Sequence, residues 1–352
     1  MDFRKYWTEI PVLLLYNLNP SWSHQDIQEC HATANMLKNA LVEVGHCVQE
    51  VCVQSAELET SLEGYSPDNH IIFNWCEELP GIPRSEYQVA QTLERMGFTF
   101  TGAGSQTLSL GQDKAKVKRL LYKKQIPIPR WQIYSSTDRI NWTRFPAIVK
   151  LAFEHCSFGI TRESVVQSTS ELVKRVHYVV DEMHQPALVE EFIDGREFHV
   201  GVIGNDNLSV LPPAEIDYSP FDDIHDRLCT YESNYDPTSL AYQITLPKMP
   251  VDLPKEQLSR LEEIVIAAYR AVNCRDYARM DLRFRDGEFY LLDVNPNPDI
   301  SSNTSLTMGA ELIGLSYGRL GSMLISLAAQ RHPIFTSPLQ TILTGENGCL
   351  EL

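Results

Sequence analysis

The segment from Arg279 to Asn295, RMDLRFRDGEFYLLDVN, concentrates side chains that suit a metal ion. Asp286-Gly287 is a strong two-residue turn signal between two strand-like halves, so the segment predicts a β-hairpin. Antiparallel pairing about that turn brings Asp281 to Asp293 and Asn295, which share a face because they are two residues apart. Two carboxylates and one amide oxygen suit Mg²⁺, with substrate phosphates as its remaining ligands.

Arg279 precedes Asp281 by two residues and therefore faces the same way. A guanidinium at that position could stabilise developing negative charge. The alternative is a surface hairpin with solvated acids. We favour the metal site because Leu291, Leu292 and Val294 predict a buried strand, in which carboxylates need partners.

A second group of residues is suited to phosphate. The apolar strand Phe145–Lys150 ends in a lysine, and the Ser- and Gly-containing segment Glu154–Ile160 follows it. A lysine supplies a point charge and such a turn supplies backbone N–H donors. The spacing of a Walker A loop is absent. A lysine that merely extends its amine to solvent is an equally common alternative. The basic helix predicted at Thr107–Lys124 is interpreted as a solvated face.

Strand and helix alternate through the first hundred residues, which predicts a doubly wound α/β domain with a parallel sheet. The predicted strands are Pro11–Asn17, His46–Val53, His70–Asn74 and Phe98–Gly102, and the predicted helices are Asp26–Val44 and Ser85–Met96. Ligands bind beyond the carboxyl ends of such strands. No glycine-rich dinucleotide fingerprint follows the first strand, which argues against NAD.

The second half of the chain mixes strands with long helices. Strands are predicted at Ala187–Ile193, Arg196–Ile203 and Leu208–Leu211, and helices at Ser170–Met183, Glu256–Val272 and Met308–Leu327, the last interrupted near Gly314–Gly318. The polar stretch Pro212–Leu246 has little periodicity, and stretches of this length are usually functional or disordered. We interpret it as a substrate-covering lid, with a passive ordered loop as the alternative.

The chain has 352 residues, a net charge of −16 and 43% hydrophobic residues. This length predicts two or three domains, and the composition is ordinary for a globular protein. The acidic charge argues against nucleic-acid and membrane partners, although it leaves room for a local basic pocket. The eight cysteines include no CxxC pair, which favours reduced thiols in a cytoplasmic protein. Neither a cleavable signal nor a membrane span is predicted.

Two segments, LVEEFIDGREFHVGVIG (188–204) and RMDLRFRDGEFYLLDVN, together with the order of Lys114, Lys150 and Glu190, resemble the ATP-grasp superfamily. Within it the chain is most similar to the D-alanyl-D-alanine ligase family, from about Thr101 to about Leu315. The resemblance implies an N-terminal substrate domain (1–103), a central ATP-grasp subdomain (104–188) and a C-terminal domain (189–352). The last contains the lid 212–246 and the hairpin 279–295.

Transferred position by position, the resemblance implies roles for three groups of residues. The nucleotide group is Lys114 and Lys150 for the phosphates, Ser157 to Gly159 in a loop closing over them, Glu190, Glu191 and Ile193 for adenine, and Glu197 for ribose. The metal group is Asp281, Asp293 and Asn295, which would hold two Mg²⁺, with Mn²⁺ as an alternative ion. The catalytic group is Arg279, for the tetrahedral intermediate, and Lys150.

The implied reaction joins a small-molecule carboxylate to an amine at the expense of ATP, through an acyl phosphate. Water would hydrolyse that intermediate, so a lid is needed. The resemblance is compatible with a homodimer.

The amino-acid pocket departs from the family pattern while the ATP and metal parts are intact. His24 stands where the family has a glutamate, Trp75 replaces a histidine, and the lid offers Arg227 in place of a Lys-Tyr pair. Asp299 replaces a glycine; Thr304 is a further candidate substrate contact. We therefore expect a ligase with a substrate other than, or beyond, D-alanine. The alternatives are an authentic D-alanine–D-alanine ligase and a nucleotide-binding regulatory protein without turnover; the intact Arg279 argues against the latter.

Overall fold

A computed structural model describes residues 10–155, 157–230, 233, 239, 242 and 246–335. The chain forms two compact units, Met1–Ser105 with Leu315–Leu352, and Gln106–Gly314. The segment from Leu315 thus groups with the N-terminal unit, whereas the predicted C-terminal domain extends to 352. The predicted boundaries after 103 and 188 stay predictions.

The described residues form thirteen strands and nine α-helices. The strands are β1 Val12–Asn17, β2 Val48–Val53, β3 Ile71–Trp75, β4 Thr99–Phe100, β5 Trp131–Tyr134, β6 Ala147–Leu151, β7 Val165–Val166, β8 Ala187–Glu191, β9 Arg196–Gly204, β10 Leu208–Val210, β11 Ala214–Ile216, β12 Tyr277–Arg285 and β13 Glu288–Asn295. The helices are α1 His24–Glu43, α2 Leu58–Ser61, α3 Glu86–Arg95, α4 Ser105–Gly111, α5 Lys114–Lys123, α6 Thr169–His177, α7 Lys255–Val272, α8 Ser305–Leu312 and α9 Tyr317–Ala329.

The N-terminal unit contains the predicted parallel sheet, with strand order β2-β1-β3-β4. All six residues of β1 are buried, as its apolar sequence predicts. Helix α1 begins with a capping box between Ser23 and Asp26, which satisfies N–H groups left without helical acceptors. Helix α9 packs against α1 at Gly318, where a Cβ atom would lie 2.2 Å from the carbonyl oxygen of Ala40. This close approach accounts for the grouping of α9 with the N-terminal residues.

The unit Gln106–Gly314 contains two antiparallel sheets, ordered β5-β8-β6-β7 and β10-β9-β12-β13, with β11 also paired to β9. One face of the second sheet carries apolar side chains such as Val200, Met280 and Leu282, which pack against α5 and α7 in a single core. Because side chains alternate along a strand, the opposite face carries the polar residues of β9, β12 and β13. The core thus fixes the sheet that presents the predicted site.

Several elements differ from the sequence predictions. The predicted helix 107–124 is divided into α4 and α5, because the side chain of Asp113 caps α5 by accepting a hydrogen bond from the Lys116 N–H at 2.9 Å. Strands β5 and β7 were not predicted. The predicted lid contains β11 and a short 3₁₀ turn, Ile224–Asp226, and most of 231–245 lies outside the described residues, as does the tail from 336.

In the part of the chain that the structure describes, no single helix is long and apolar enough to cross a membrane; α8 and α9 reach that length and composition only when taken together.

Candidate active site

The predicted hairpin is present, and its register aligns the predicted metal ligands. Asp281 lies opposite Asp293, and Arg279 lies opposite Asn295. The turn residues Asp286 and Gly287 have φ values of 54° and 85°, which a two-residue turn of this kind requires. The sequence prediction that these side chains converge is therefore confirmed as geometry, whereas their metal-binding role stays a prediction.

Strand β9, which pairs with β12, contributes further side chains to the same polar face of the sheet. Its Glu197 pairs with Arg283 of β12, and its His199 pairs with Asp281. The sequence analysis did not predict a place for His199 or Arg283 in the site. The alternation in REFHVGVIG was a usable signal, since it puts Glu197 and His199 on one face.

Asp281 is held by its two neighbours on the hairpin. Arg279 donates to both carboxylate oxygens, from Nε at 2.7 Å and from Nη2 at 3.0 Å. Asn295 Nδ2 donates to Oδ2 at 3.0 Å. Burial opposes ionisation of Asp281, but the charges of Arg279 and His199 outweigh it and lower its pKa. Asp281 is therefore a pre-ionised carboxylate, the form that binds a cation.

Asp293 is paired with Lys114, whose Nζ lies 2.9 Å and 2.8 Å from its two oxygens. Burial opposes ionisation here too, but Lys114 and Lys150 lower the pKa of Asp293 well below its usual range. Lys114 is held at the start of α5, where its backbone N–H donates to Ala152 O at 3.1 Å. Lys114 therefore connects Ala152, the residue just after β6, to the hairpin.

A second buried ion-pair system lies next to this one. The carboxylate of Glu190 is 1% exposed and contacts two lysines, Lys118 Nζ at 2.6 Å and Lys150 Nζ at 2.9 Å. The ammonium group of Lys150 thus forms its ion pair with Glu190. Burial favours the neutral amine of Lys150, but Glu190 raises its pKa and keeps it charged.

The predicted solvated face of this basic helix is wrong for two of its lysines. Lys114 and Lys118 are 8% and 2% exposed, while Lys116, Arg119, Lys123 and Lys124 are exposed as predicted. These two buried lysines and the half-buried Lys150 face two carboxylates, those of Glu190 and Asp293. The cluster has a net positive charge, which suits an anion such as phosphate.

Glu197 and Arg283 form a buried pair, with Arg283 Nε 2.7 Å from Glu197 Oε2. His199 Nε2 lies 3.3 Å from the other carboxylate oxygen. Burial opposes ionisation of Glu197, but Arg283 and His199 lower its pKa to about 2. Arg283 lies over the rings of Phe192 and Tyr218, at 4.7 Å and 5.1 Å from their centroids. The predicted ribose-binding carboxylate is therefore ionised and rigidly held.

The residues predicted to line the adenine pocket lie at the end of β8. The Ile193 carbonyl accepts a hydrogen bond from Arg283 Nη1 at 2.9 Å. Glu191 Oε1 pairs with Arg285 Nη2 at 2.7 Å. The side chain of Glu190 instead points to the lysine cluster. No described contact tests adenine recognition, which stays a prediction.

The predicted phosphate loop is a tight turn. Ser157 and Gly159 have φ values of 58° and 70°, and a Cβ atom on Gly159 would lie 2.6 Å from Leu151 Cδ1. The carbonyl of Gly159 accepts a hydrogen bond from the Arg175 guanidinium. Cys156 lies outside the described residues.

The loop region is joined to the predicted lid. Arg162 forms ion pairs with Asp223 at 2.7 Å and with Asp226, on the turn Ile224–Asp226. Leu228 packs with Ile148 and Val165 in a small apolar cluster. The first part of the predicted lid is thus anchored beside β6 and β7.

The predicted substrate residues are divided between the two units. In the N-terminal unit, His24 is exposed at the start of α1 and Trp75 is half-buried at the end of β3. In the other unit, Arg227 Nη1 pairs with Asp194 at 2.9 Å. Asp299 Oδ1 accepts hydrogen bonds from Ser301 N and Oγ, and Thr304 Oγ1 donates to Ser301 O. The substrate roles of these residues stay predictions.

The donor set at the hairpin fits Mg²⁺. No group of three or more His, Cys, Asp or Glu side chains with metal-binding geometry exists among the described residues. The hairpin instead offers two carboxylates and one amide, and Mg²⁺ is usually held by one or two carboxylates together with substrate phosphates. The Asn295 Nδ2 donates to Asp281, which leaves its Oδ1 as a ligand atom.

Comparison with known proteins gives a consistent result. The family model described as "D-ala D-ala ligase C-terminus" matches residues 126–326. An uncharacterized protein y4sG of Sinorhizobium fredii is 32% identical over 85% of this chain and 88% of its own length. The D-alanine–D-alanine ligase of Aquifex aeolicus is 30% identical over 84% of this chain and 94% of its own.

A crystal structure of a D-alanine–D-alanine ligase from Bacillus anthracis, complexed with ATP, superposes with a TM-score of 0.71 at 20% identity. It covers 92% of this chain and 98% of that one. At this identity the structural likeness establishes the ATP-grasp fold.

Proposed function

Because the chain belongs to the D-alanine–D-alanine ligase family, and is thus an ATP-dependent ligase that forms carbon–nitrogen bonds, we propose that it joins a carboxylate to an amine through an acyl phosphate. We further propose that its substrate pair differs from two molecules of D-alanine. The observation that carries the proposal is the polar sheet face on which Arg279, Asp281 and Asn295 contact one another beside the Lys114–Asp293 pair.

In the proposed first step, the substrate carboxylate attacks the γ-phosphate of ATP, the bond between the γ-phosphorus and the bridging β-phosphate oxygen breaks, and ADP leaves, so that an acyl phosphate forms. Lys114 and Lys150 compensate the negative charge on the phosphoryl oxygens, and the low exposure of both side chains strengthens this interaction. Mg²⁺, held by Asp281, Asp293 and Asn295, would supply further charge compensation at the phosphates.

In the proposed second step, the amine attacks the acyl carbon and a negatively charged oxygen develops; collapse of this intermediate expels phosphate, and the nitrogen loses a proton to give the amide. Arg279 stabilises this charge, since its guanidinium is already oriented by two hydrogen bonds to Asp281. Pre-orientation means that little reorganisation is needed when the charge appears. The segment anchored by Arg162 would limit entry of water to the acyl phosphate.

A substrate other than D-alanine is supported by the residues beyond the hairpin. The exposed carboxylate of Asp299 accepts two hydrogen bonds from Ser301, and Arg227 is paired with Asp194. These charged groups alter the polarity that a small, uncharged side chain would meet. The y4sG protein of Sinorhizobium fredii, at 32% identity, is itself uncharacterized. The relatives therefore do not determine the substrate of this chain.

The test is ADP release in the presence of ATP, Mg²⁺ and a panel of D- and L-amino acids, singly and in pairs, with mass spectrometry of the product. We expect ADP only with a carboxylate–amine pair, and a product with one new amide bond. Dipeptide from D-alanine alone would favour an authentic D-alanine–D-alanine ligase. Nucleotide binding without ADP from any pair would favour a regulatory protein. Arg279→Lys serves as the matched variant: it keeps the charge, loses the two-pronged contact with Asp281, and should retain nucleotide binding while amide formation falls.

A further inference from the structure

Lys118 is a buried lysine without a role in the proposed reaction; burial lowers its pKa, and the negative charge of Glu190 opposes that shift. It lies on α5, its side chain is 2% exposed, and its Nζ contacts three oxygen atoms. These are Glu190 Oε1 at 2.6 Å, the Leu292 carbonyl at 2.7 Å and the Leu291 carbonyl at 3.4 Å. One ammonium group therefore joins β8 to β13, which belong to different sheets.

The contact with Leu292 occurs at an irregularity of the hairpin. Asp281 pairs with Asp293 and Leu282 pairs with Leu291, so Leu292 is left without a partner in β12. Such a bulge re-aims the next side chain and leaves a backbone group in need of a partner. Lys118 supplies that partner directly before Asp293. The ammonium group thus fixes the bulge that directs the Asp293 carboxylate.

The contact with Glu190 determines the charge available at Lys150. Glu190 lies between Lys118 and Lys150, so its single negative charge is shared by two cations. Without Lys118, the same carboxylate would compensate Lys150 alone. The pair would then be neutral, and its attraction for an anion would fall.

We propose that Lys118 is a positioning residue of the nucleotide site: it keeps Lys150 available for phosphate by sharing Glu190, and it fixes the bulge that aims Asp293. This inference rests on the proposed function, because it assigns the phosphates of ATP to Lys150 and the metal to Asp293. Lys118 itself touches neither group and acts through Glu190 and the Leu292 carbonyl.

The first experiment measures affinity for a non-hydrolysable ATP analogue and for adenosine by calorimetry. Lys118→Met keeps most of the side-chain volume and removes the charge. We expect its affinity for the analogue to fall about tenfold, because the site loses one positive charge, while adenosine binding is unchanged. Lys116→Met, on the exposed side of the same helix, removes an equal charge and should change neither affinity.

The double variant Lys118→Met/Glu190→Gln separates charge from folding. It removes the buried carboxylate of Glu190, one oxygen of which loses its partner in Lys118→Met, so it should fold even where Lys118→Met does not. Its Lys150 is no longer neutralised, and we expect affinity for the analogue to return to within about threefold of the wild type. Both variants lack the contact of Lys118 with the Leu292 carbonyl. In both of them, the Mg²⁺ concentration for half-maximal turnover should therefore be higher than in the wild type.

The outcomes are distinct. A wild-type chain that binds no analogue would overturn the proposed function and this inference with it. If the wild type binds and Lys118→Met loses analogue and adenosine affinity equally, or if the double variant stays about tenfold weaker, the role of Lys118 is only structural. A wild-type Mg²⁺ requirement in the double variant would overturn the role of the bulge.

Discussion

Lys114 and Asp293 form a two-pronged ion pair, in which one ammonium nitrogen lies within hydrogen-bond distance of both carboxylate oxygens. The lysine begins α5, and the aspartate lies near the end of β13, 179 residues further along the chain. A cation that binds Asp293 must therefore compete with Lys114. Phosphate can receive the displaced ammonium group, so we expect Mg²⁺ and nucleotide to bind together.

We predict that Asp293→Ala lowers ADP release at least 100-fold. It should also lower the free energy of unfolding by about 2–4 kcal/mol, since it leaves the mostly buried Lys114 without its partner. Turnover is followed by a coupled ADP assay and stability by urea unfolding. The control is Lys114→Met/Asp293→Leu, which removes both charges and should be more stable than Asp293→Ala yet equally inactive. Wild-type turnover in either variant would remove Asp293 from the site.

A second prediction concerns the turn at Gly159. Alanine there would meet Leu151 Cδ1 at 2.6 Å and would require a φ of +70°, so we expect a loss of about 1–3 kcal/mol in the free energy of unfolding. Affinity for the ATP analogue should fall as well, because the turn must shift. Gly64→Ala is the matched control, since its φ is +91° but no atom lies within 4 Å of the added Cβ. Its free energy of unfolding should fall only by the cost of a positive φ for alanine, about 1 kcal/mol, and it should bind the analogue with wild-type affinity. Equal behaviour of the two variants in both assays would contradict a nucleotide-binding role for this turn.

The ion pairs of Arg162 lead to a third prediction. Arg162→Glu places like charges beside Asp223 and Asp226, so the segment around Ile224 should detach more often. Because these groups are exposed, global stability should change by less than about 1 kcal/mol. Limited proteolysis of that segment should accelerate several-fold. High salt should accelerate it in the wild type but not in the variant.

Arg260→Glu is the control for that experiment, since it disrupts an exposed ion pair with Glu263 within α7. Its cleavage rate near Ile224 should match the wild type. If Arg162→Glu also shows the wild-type rate, Arg162 does not hold the segment in place.

His46 provides a prediction about pH. The imidazole is 3% exposed, and burial lowers its pKa to about 4. In the unfolded chain a histidine titrates near pH 6.5, at about its ordinary pKa. Between these values the unfolded state binds more protons, so stability falls as the pH falls. From pH 7.5 to pH 5 this group should cost about 2 kcal/mol in the free energy of unfolding.

The measurement is urea unfolding of the wild type and His46→Gln at both pH values. The glutamine variant should lose about 2 kcal/mol less than the wild type over this interval. His24→Gln, at an exposed position on α1, should lose as much as the wild type. An unchanged pH dependence in His46→Gln would show that His46 does not resist protonation in the folded state.

Local patterns were sufficient for the parts of the site that lie close together in the chain. The dipeptide Asp286-Gly287 and the alternation around it predicted the hairpin and the approach of Asp281 to Asp293. The exact alignment of these two residues depends on the bulge at Leu292, which shifts the register by one residue. The parallel sheet of the N-terminal unit was predicted for the same reason. Its apolar strands and amphipathic helices are signals that lie within ten to twenty residues.

The same patterns failed where partners are distant. Lys118 looked like part of a solvated charge run, because its acceptors at Leu292 and Glu190 lie far along the chain. Arg283 and His199 were missed because their pairing with Glu197 depends on the register of β9 against β12. Short strands such as β7 have too few residues to show a period.

The sequence by itself determined which chemical groups are available: an acidic hairpin with an arginine, a lysine near the end of a strand, and an order of motifs typical of the ATP-grasp superfamily. Only the tertiary structure decided which charges are buried and what each one faces. Burial determines how strongly charges interact, because the surrounding medium and not the side chain alone sets their free energy. That is why Lys118 and Lys116, two residues apart on one helix, differ so completely: one is held among three oxygen atoms and the other lies in solvent.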